Sequence, residues 1–218
     1  MHPSAMRHGR LFFETYLPKG GRVVDIGAFD VNGSLRSVAS PGTDYVGVDF
    51  DEGRGVDIVI TDPYVLPIES GSVDAVVSSS CFEHSEFFWL TFLESLRLLK
   101  PDGLLYLNAP SNGAFHRHPV DCWRFYPDSG VALQNWARRN GMNVEMLESF
   151  VGLQDGGSFN DFVAVFVRDA AHSARYPHCM KDEIAHLNGR VAGSEEFTNF
   201  EGCPEDGWKK TSFKRLFA

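Results

Sequence analysis

Short apolar runs, each bounded by glycine, proline or an acid, recur along the first half of the chain. They are Val23-Val24-Ile26, Tyr45–Val48, Val56–Ile60, Val73–Val77 and Leu104–Leu107. Runs of this length with no polar alternation are how strands buried on both faces read. Between the fourth and fifth, Phe88, Phe92, Leu96 and Leu99 fall at helical spacing. They predict a helix from about Glu86 to Leu99, with Ser85 as its N-cap and Lys100 at the end where the dipole favours a cation. Residues 7–17 predict a short amphipathic helix stopped by Pro18 and Gly20-Gly21, and Pro127 to Gly141 another helix. Segments 143–150 and 162–168 predict two last strands, joined by a loop holding Gly152, Gly156 and Gly157 and short enough for an antiparallel pair. Strands alternating with helices imply a parallel sheet.

The first strand runs into the loop Gly27-Ala-Phe-Asp-Val-Asn-Gly33, after which Ser34 can cap a helix carrying Leu35 and Val38. Strand, tight loop and helix are the opening half of a nucleotide-binding βαβ unit. The second strand ends at Asp49, 22 positions after Gly27, about where such folds place a carboxylate on ribose hydroxyls. The loop lacks the GxGxxG spacing that lets backbone approach a pyrophosphate, and Asp30 is a poor neighbour for phosphate, which counts against an NAD-dependent enzyme. Asp25 and Asp30 suit a cofactor with a cationic end, such as the amino group of S-adenosylmethionine. A second acid, Asp62, ends the third strand, and Pro63 turns the chain away from its tip.

Composition narrows the class. At 218 residues with 43% hydrophobic content the chain suits one globular domain. A formal charge of −9 disfavours a nucleic-acid partner. Cys81, Cys122, Cys179 and Cys203 form no CxxC pair, so neither a structural zinc nor a disulfide framework is expected. No apolar leader or stretch of about 20 apolar residues appears, and the expectation is a cytoplasmic protein with no membrane partner.

Residues 22–110 resemble the class I S-adenosylmethionine-dependent methyltransferases, specifically the branch called methyltransferase type 11. The resemblance rests on Leu66-Pro67…Gly71-Ser72-Val73-Asp74, on Phe82-Glu83-His84, on Leu93-Glu94…Arg97-Leu98-Leu99-Lys100-Pro101-Asp102-Gly103 and on Ala109-Pro110, in order and at family spacing. It implies an α/β, Rossmann-like open sheet of seven mostly parallel strands, helices on both faces and an antiparallel C-terminal strand pair. Residues 1–169 would form the domain, with an N-terminal helix in 1–21. Residues 170–218 would be a tail packed on the domain or on a partner subunit, and a homo-oligomer stays open. The implied cofactor is S-adenosylmethionine, held by Asp25, Gly27, Ala28, Asp30, Asp49, Phe50, Asp62, Pro63 and Ser80. Two departures stand out: Phe29 and Val31 replace glycines of the family's first loop, and Asp102 replaces a glycine in a turn.

Methyl transfer needs the nucleophile, methyl and sulfur in line and water excluded. A hydroxyl acceptor also needs a base. The segment His116-Arg-His-Pro-Val-Asp-Cys-Trp-Arg-Phe-Tyr126 follows the fifth strand and packs His116, His118, Asp121 and Arg124 among aromatics. Aromatic walls with a few polar groups suit a sugar or another small polyhydroxylated acceptor. His116 or His118 is the expected base, with Asp121 and Arg124 orienting the acceptor and His84 as second choice. The bland alternative has the aromatics stapling the loop while Arg124 pairs with Asp121. A metal on His116, His118 and Asp121 is a weaker reading, since two imidazoles and one carboxylate suit zinc or iron better than magnesium. None is expected. A non-catalytic domain that keeps the fold as an interaction module is the rival from another class.

Overall fold

The computed structural model describes residues 2–153 and 159–202. Eight strands form one sheet: β1 (Arg22–Ile26), β2 (Asp44–Asp49), β3 (Ile58–Val59), β4 (Val73–Ser79), β5 (Leu99–Pro110), β6 (Glu145–Gly152), β7 (Asp161–Val167) and β8 (His186–Val191). Their order is β3-β2-β1-β4-β5-β7-β6-β8. The first five pair in parallel, and β7 enters antiparallel between β5 and β6. Three α-helices, α1 (Pro3–Tyr16), α2 (Phe88–Leu98) and α3 (Ser129–Arg139), cover the faces.

Period-two alternation sorts the strand residues. Val24, Ile26, Val76, Leu105 and Leu107 pack with Phe92, Leu96 and Leu133 on the α2/α3 face. Val23, Ala75, Val77, Leu104 and Tyr106 pack with Phe12, Phe13 and Tyr16 on the α1 face. Both faces are apolar because both are covered, which is why the strands are rich in hydrophobic residues, with Asp25 of β1 as a buried exception.

Four local expectations change. The helix after β1 is one 3₁₀ turn, Leu35–Val38; Ser34 Oγ still accepts from Arg36 N at 3.2 Å. Only Leu35 of that turn is buried, and Pro41 disfavours helical geometry at Ser40, so nothing sustains a longer helix. Ser85 does not cap α2, because its hydroxyl meets Thr91 Oγ1 at 2.9 Å. The helix instead starts at Phe88, after a separate 3₁₀ turn over Phe82–His84. Lys100 pairs with Asp74 at 2.6 Å, in β4, which ties the start of β5 to its neighbour. The sheet also has eight strands where seven were expected, as His186–Val191 adds antiparallel to β6. The expected glycine loop after β6 at 156–157 and the tail beyond residue 202 lie outside the described residues. Among the described residues no helix is long and apolar enough to cross a membrane.

Candidate active site

The parallel strands β1, β2 and β4 end on one edge, the crevice where open α/β sheets take ligands. Gly27 follows β1 at φ +84°, and a Cβ there would lie 2.6 Å from that of Cys81. A side chain is excluded on both counts. Asp49, at the tip of β2, accepts from Phe29 N at 3.0 Å through Oδ2 and from Phe50 N at 2.7 Å through Oδ1. Oδ1 also accepts from Asp51 N at 3.4 Å, so the spare acceptor capacity lies on Oδ2. Asp62 is exposed and closes its own turn by accepting from Tyr64 N at 2.8 Å. Ala28 is buried, Phe50 exposed and Pro63 half-buried. Ser80, after β4, adopts φ 55°, a left-handed conformation that a non-glycine residue holds only under constraint.

The two acids expected to meet a cationic cofactor end are already engaged. Asp25 is buried in β1 and accepts from Tyr45 OH at 2.8 Å; burial pushes its carboxyl up to about 7. Asp30 accepts from Gly33 N at 2.7 Å and pairs with Arg54 at 2.9 Å. The Gly33 amide bond holds it below the usual carboxylate range. The side chains that replace loop glycines point to other neighbours. Phe29 lies against Gly53, where a Cβ would come within 2.2 Å of its ring, and Val31 is 61% exposed.

On the acceptor side, the 116–126 segment folds back over the turn after β4, with Cys122 N and Trp123 N both donating to Glu83 O. Asp121 is clamped by Arg124, at 2.6 Å to Oδ1 and 2.8 Å to Oδ2, and also accepts from His116 N at 2.6 Å. The Arg124 guanidinium holds its carboxyl down at about 2. His116 places Nδ1 3.5 Å from Asp121 Oδ2 and stacks edge-on against His84, ring centroids 5.0 Å apart. His84 Nδ1 bonds Val120 O, and burial lowers the pKa of the ring. So His116, Asp121, Arg124 and His84 are brought together. His118 is exposed, and the pairing of Asp121 with Arg124 is the bland arrangement that the sequence allowed.

Over residues 21–107 the chain matches the family model of a methyltransferase domain, and its sheet has the class I S-adenosylmethionine-dependent methyltransferase fold. No curated protein matches it. Among solved structures it is similar to the Burkholderia thailandensis 1,6-didemethyltoxoflavin N1-methyltransferase, crystallised with 1,6-didemethyltoxoflavin and S-adenosylhomocysteine. The TM-score is 0.60 at 16% identity, covering 76% of this chain and 78% of that one. A putative methyltransferase of Haloferax volcanii, in complex with the Trm112 methyltransferase activator, aligns with TM-score 0.55 at 18% identity over 77% and 90%. The [4+2]-cyclase SpnF aligns with TM-score 0.56 at 16% identity over 75% and 81%. At such identities the likeness speaks for the fold, and the cyclase is a reminder that the fold hosts other chemistry.

The crevice of this methyltransferase domain fits S-adenosylmethionine. A half-buried acid stands at the tip of β2 with acceptor capacity to spare, and a side-chain-free Gly27 keeps backbone at the crevice floor. Sequence reasoning undervalued the polar groups beneath it. Glu83 is 1% exposed with Oε2 unpartnered, and Ser79 Oγ, both amide atoms of Asn108 and Arg124 Nε are likewise buried without hydrogen-bond partners among the described residues. Buried polar atoms are normally satisfied, so the unpartnered Glu83 oxygen is a candidate contact for a ligand group. The Phe82-Glu83-His84 turn carried the only forewarning, as one of the pieces on which the family resemblance rests.

Proposed function

We propose that the protein is an O-methyltransferase for a small, polyhydroxylated acceptor of carbohydrate type. Bound S-adenosylmethionine supplies a methyl group on a cationic sulfur, ready for in-line displacement. Asp49 would hold its ribose, Asp62 its adenine amine between Pro63, Tyr64 and Phe50, and Gly27, Ala28 and Ser80 its methionine end. With Asp25 and Asp30 engaged elsewhere, their part is to shape the loop.

The observation that carries the acceptor assignment is the His116–Asp121 pair, a ring backed by a clamped carboxylate and set against His84. With Nδ1 turned to the Ala114 carbonyl at 3.3 Å, between Asp121 Oδ2 and Arg124 at 3.5 Å each, Nε2 would be the acceptor of the hydroxyl proton. On this reading Asp121 and Arg124 are positioning residues acting through His116. Trp123 and Tyr126 supply aromatic wall. Water exclusion falls to the folded-back segment, held by the Glu83 carbonyl.

Turnover should be assayed with S-adenosylmethionine and a panel of hydroxylated acceptors. Replacing His116 and His118 together by Ala is expected to lower it about 10²–10⁴-fold while leaving affinity for S-adenosylhomocysteine intact; undiminished turnover contradicts the assignment. One observation favours the interaction-module reading, namely that Asp30 is spent on Arg54 and Gly33. That reading predicts no cofactor binding.

A further inference from the structure

We propose that Glu83, His84 and His116 form a binding site for a divalent transition-metal ion of the zinc class. One donor atom from each lies within 4.8 Å of the other two, and Glu83 Oε1 stands 3.7 Å from His84 Nε2. Ligand atoms around one zinc at about 2.0–2.1 Å sit closer than this, so a contraction of about 1 Å completes the set. The trio differs from the His116, His118 and Asp121 set read from sequence. Asp121 is consumed by Arg124 and His118 is exposed; Glu83 and His84 take their places.

Three independent features support a ligand role. Glu83 is 1% exposed, yet its Oε2 has no partner among the described residues, a costly state that a cation would relieve. His84 gives Nδ1 to the Val120 carbonyl, the orienting bond characteristic of metal-bound histidines, which leaves Nε2 with its lone pair toward Glu83. His116 places Nδ1 3.3 Å from Ala114 O, with Asp121 Oδ2 and the Arg124 guanidinium each 3.5 Å away, which leaves Nε2 for a ligand. Two imidazoles with one carboxylate suit zinc or ferrous iron, and three protein ligands leave a position open for oxygen.

The inference rests on this cluster being the acceptor end of the methyltransferase site, and it revises one role there: His116, the free base of the metal-free site, becomes a metal ligand. With an ion bound, His116 is a ligand. The acceptor hydroxyl then takes the open position, is made acidic by the metal charge and releases its proton to solvent.

The test is calorimetric titration of the chelator-stripped full chain with Zn²⁺, alongside Co²⁺ absorption spectra and S-adenosylhomocysteine titration of the same preparations. One equivalent should bind and develop the visible bands of low-coordinate Co²⁺. Glu83→Gln and His84→Ala should each weaken binding at least about tenfold, and His118→Ala should not. Gln keeps the buried shape without a charge, so Glu83→Gln tests ligation rather than folding, with circular dichroism as the check. An absence of Zn²⁺ binding, or binding unaffected by both substitutions, overturns the site. S-adenosylhomocysteine binding without Zn²⁺ binding sinks the metal alone, whereas Zn²⁺ binding without the nucleoside sinks the cofactor reading.

Discussion

Glu83 pays for its position in desolvation: it sits at the floor of the site with one oxygen unpartnered, and burial raises its carboxyl to about 8. A carboxyl whose pKa is raised on folding stays protonated in the native state while the unfolded chain releases its proton. Stability therefore falls as pH rises from about 4.5 toward 8. Glu83→Gln is expected to raise the metal-free melting temperature more at pH 8 than at pH 5; an equal effect at both contradicts the assignment. Asp121 behaves oppositely. Its carboxyl, lowered to about 2 by Arg124, contributes stability above pH 4 that is lost as pH falls from about 4 through 2. Asp121→Asn should therefore lower the melting temperature at pH 7, with the difference shrinking in acid; a constant difference would contradict it. The positions of Asp49 and His116 were legible because strand ends and chemically dense loops announce themselves. Glu83 was not, because its isolation depends on Cys122, Trp123 and Arg124 closing over it from some 40 residues away.

Two elements are fixed by side chains reaching across the chain. Arg97 on α2 donates to Glu94, to the Ile68 and Leu66 carbonyls and to Ser70, while Glu94 accepts from Leu66 N at 2.6 Å. This pins the segment after Asp62 onto the helix, giving physical content to the Glu and Arg spacing that carried the family resemblance. Glu148 in β6 accepts from Tyr16 OH, Met180 N and Lys181 N, at 2.6, 2.7 and 2.9 Å. It joins α1, the sheet and the segment leading to β8. Glu148→Ala would strand three donors, costing about 3 kcal/mol and lowering the melting temperature by about 6–12 °C; a drop under about 2 °C would show that the staple carries little. Neither β8 nor its staple was legible. Residues 186–191 show little apolar run, because an edge strand needs only hydrogen bonds and one covered side. The helix after β1 failed for the converse reason: its apolar side was too brief to sustain more than one turn.

At the scale of the molecule, the five apolar runs and the strand-end acids sufficed to predict a parallel sheet with a crevice at β1 and β2. The antiparallel insertion of β7 follows from the short link that precedes it. What the sequence left undecided was whether a first loop carrying Phe29 and Val31 leaves room for a nucleoside. In the structure Phe29 rests on Gly53 and Val31 faces solvent, and Asp49 Oδ2 has a single donor, Phe29 N. This crevice is therefore expected to bind S-adenosylmethionine through Asp49. Calorimetric titration of the wild-type chain and of Asp49→Ala with S-adenosylhomocysteine tests it most directly. Saturable binding to wild type, weakened at least about tenfold in the variant by loss of about 1.4 kcal/mol or more, is the predicted result. A wild-type chain that takes up no S-adenosylhomocysteine, or a variant that binds it as well as wild type, would contradict it.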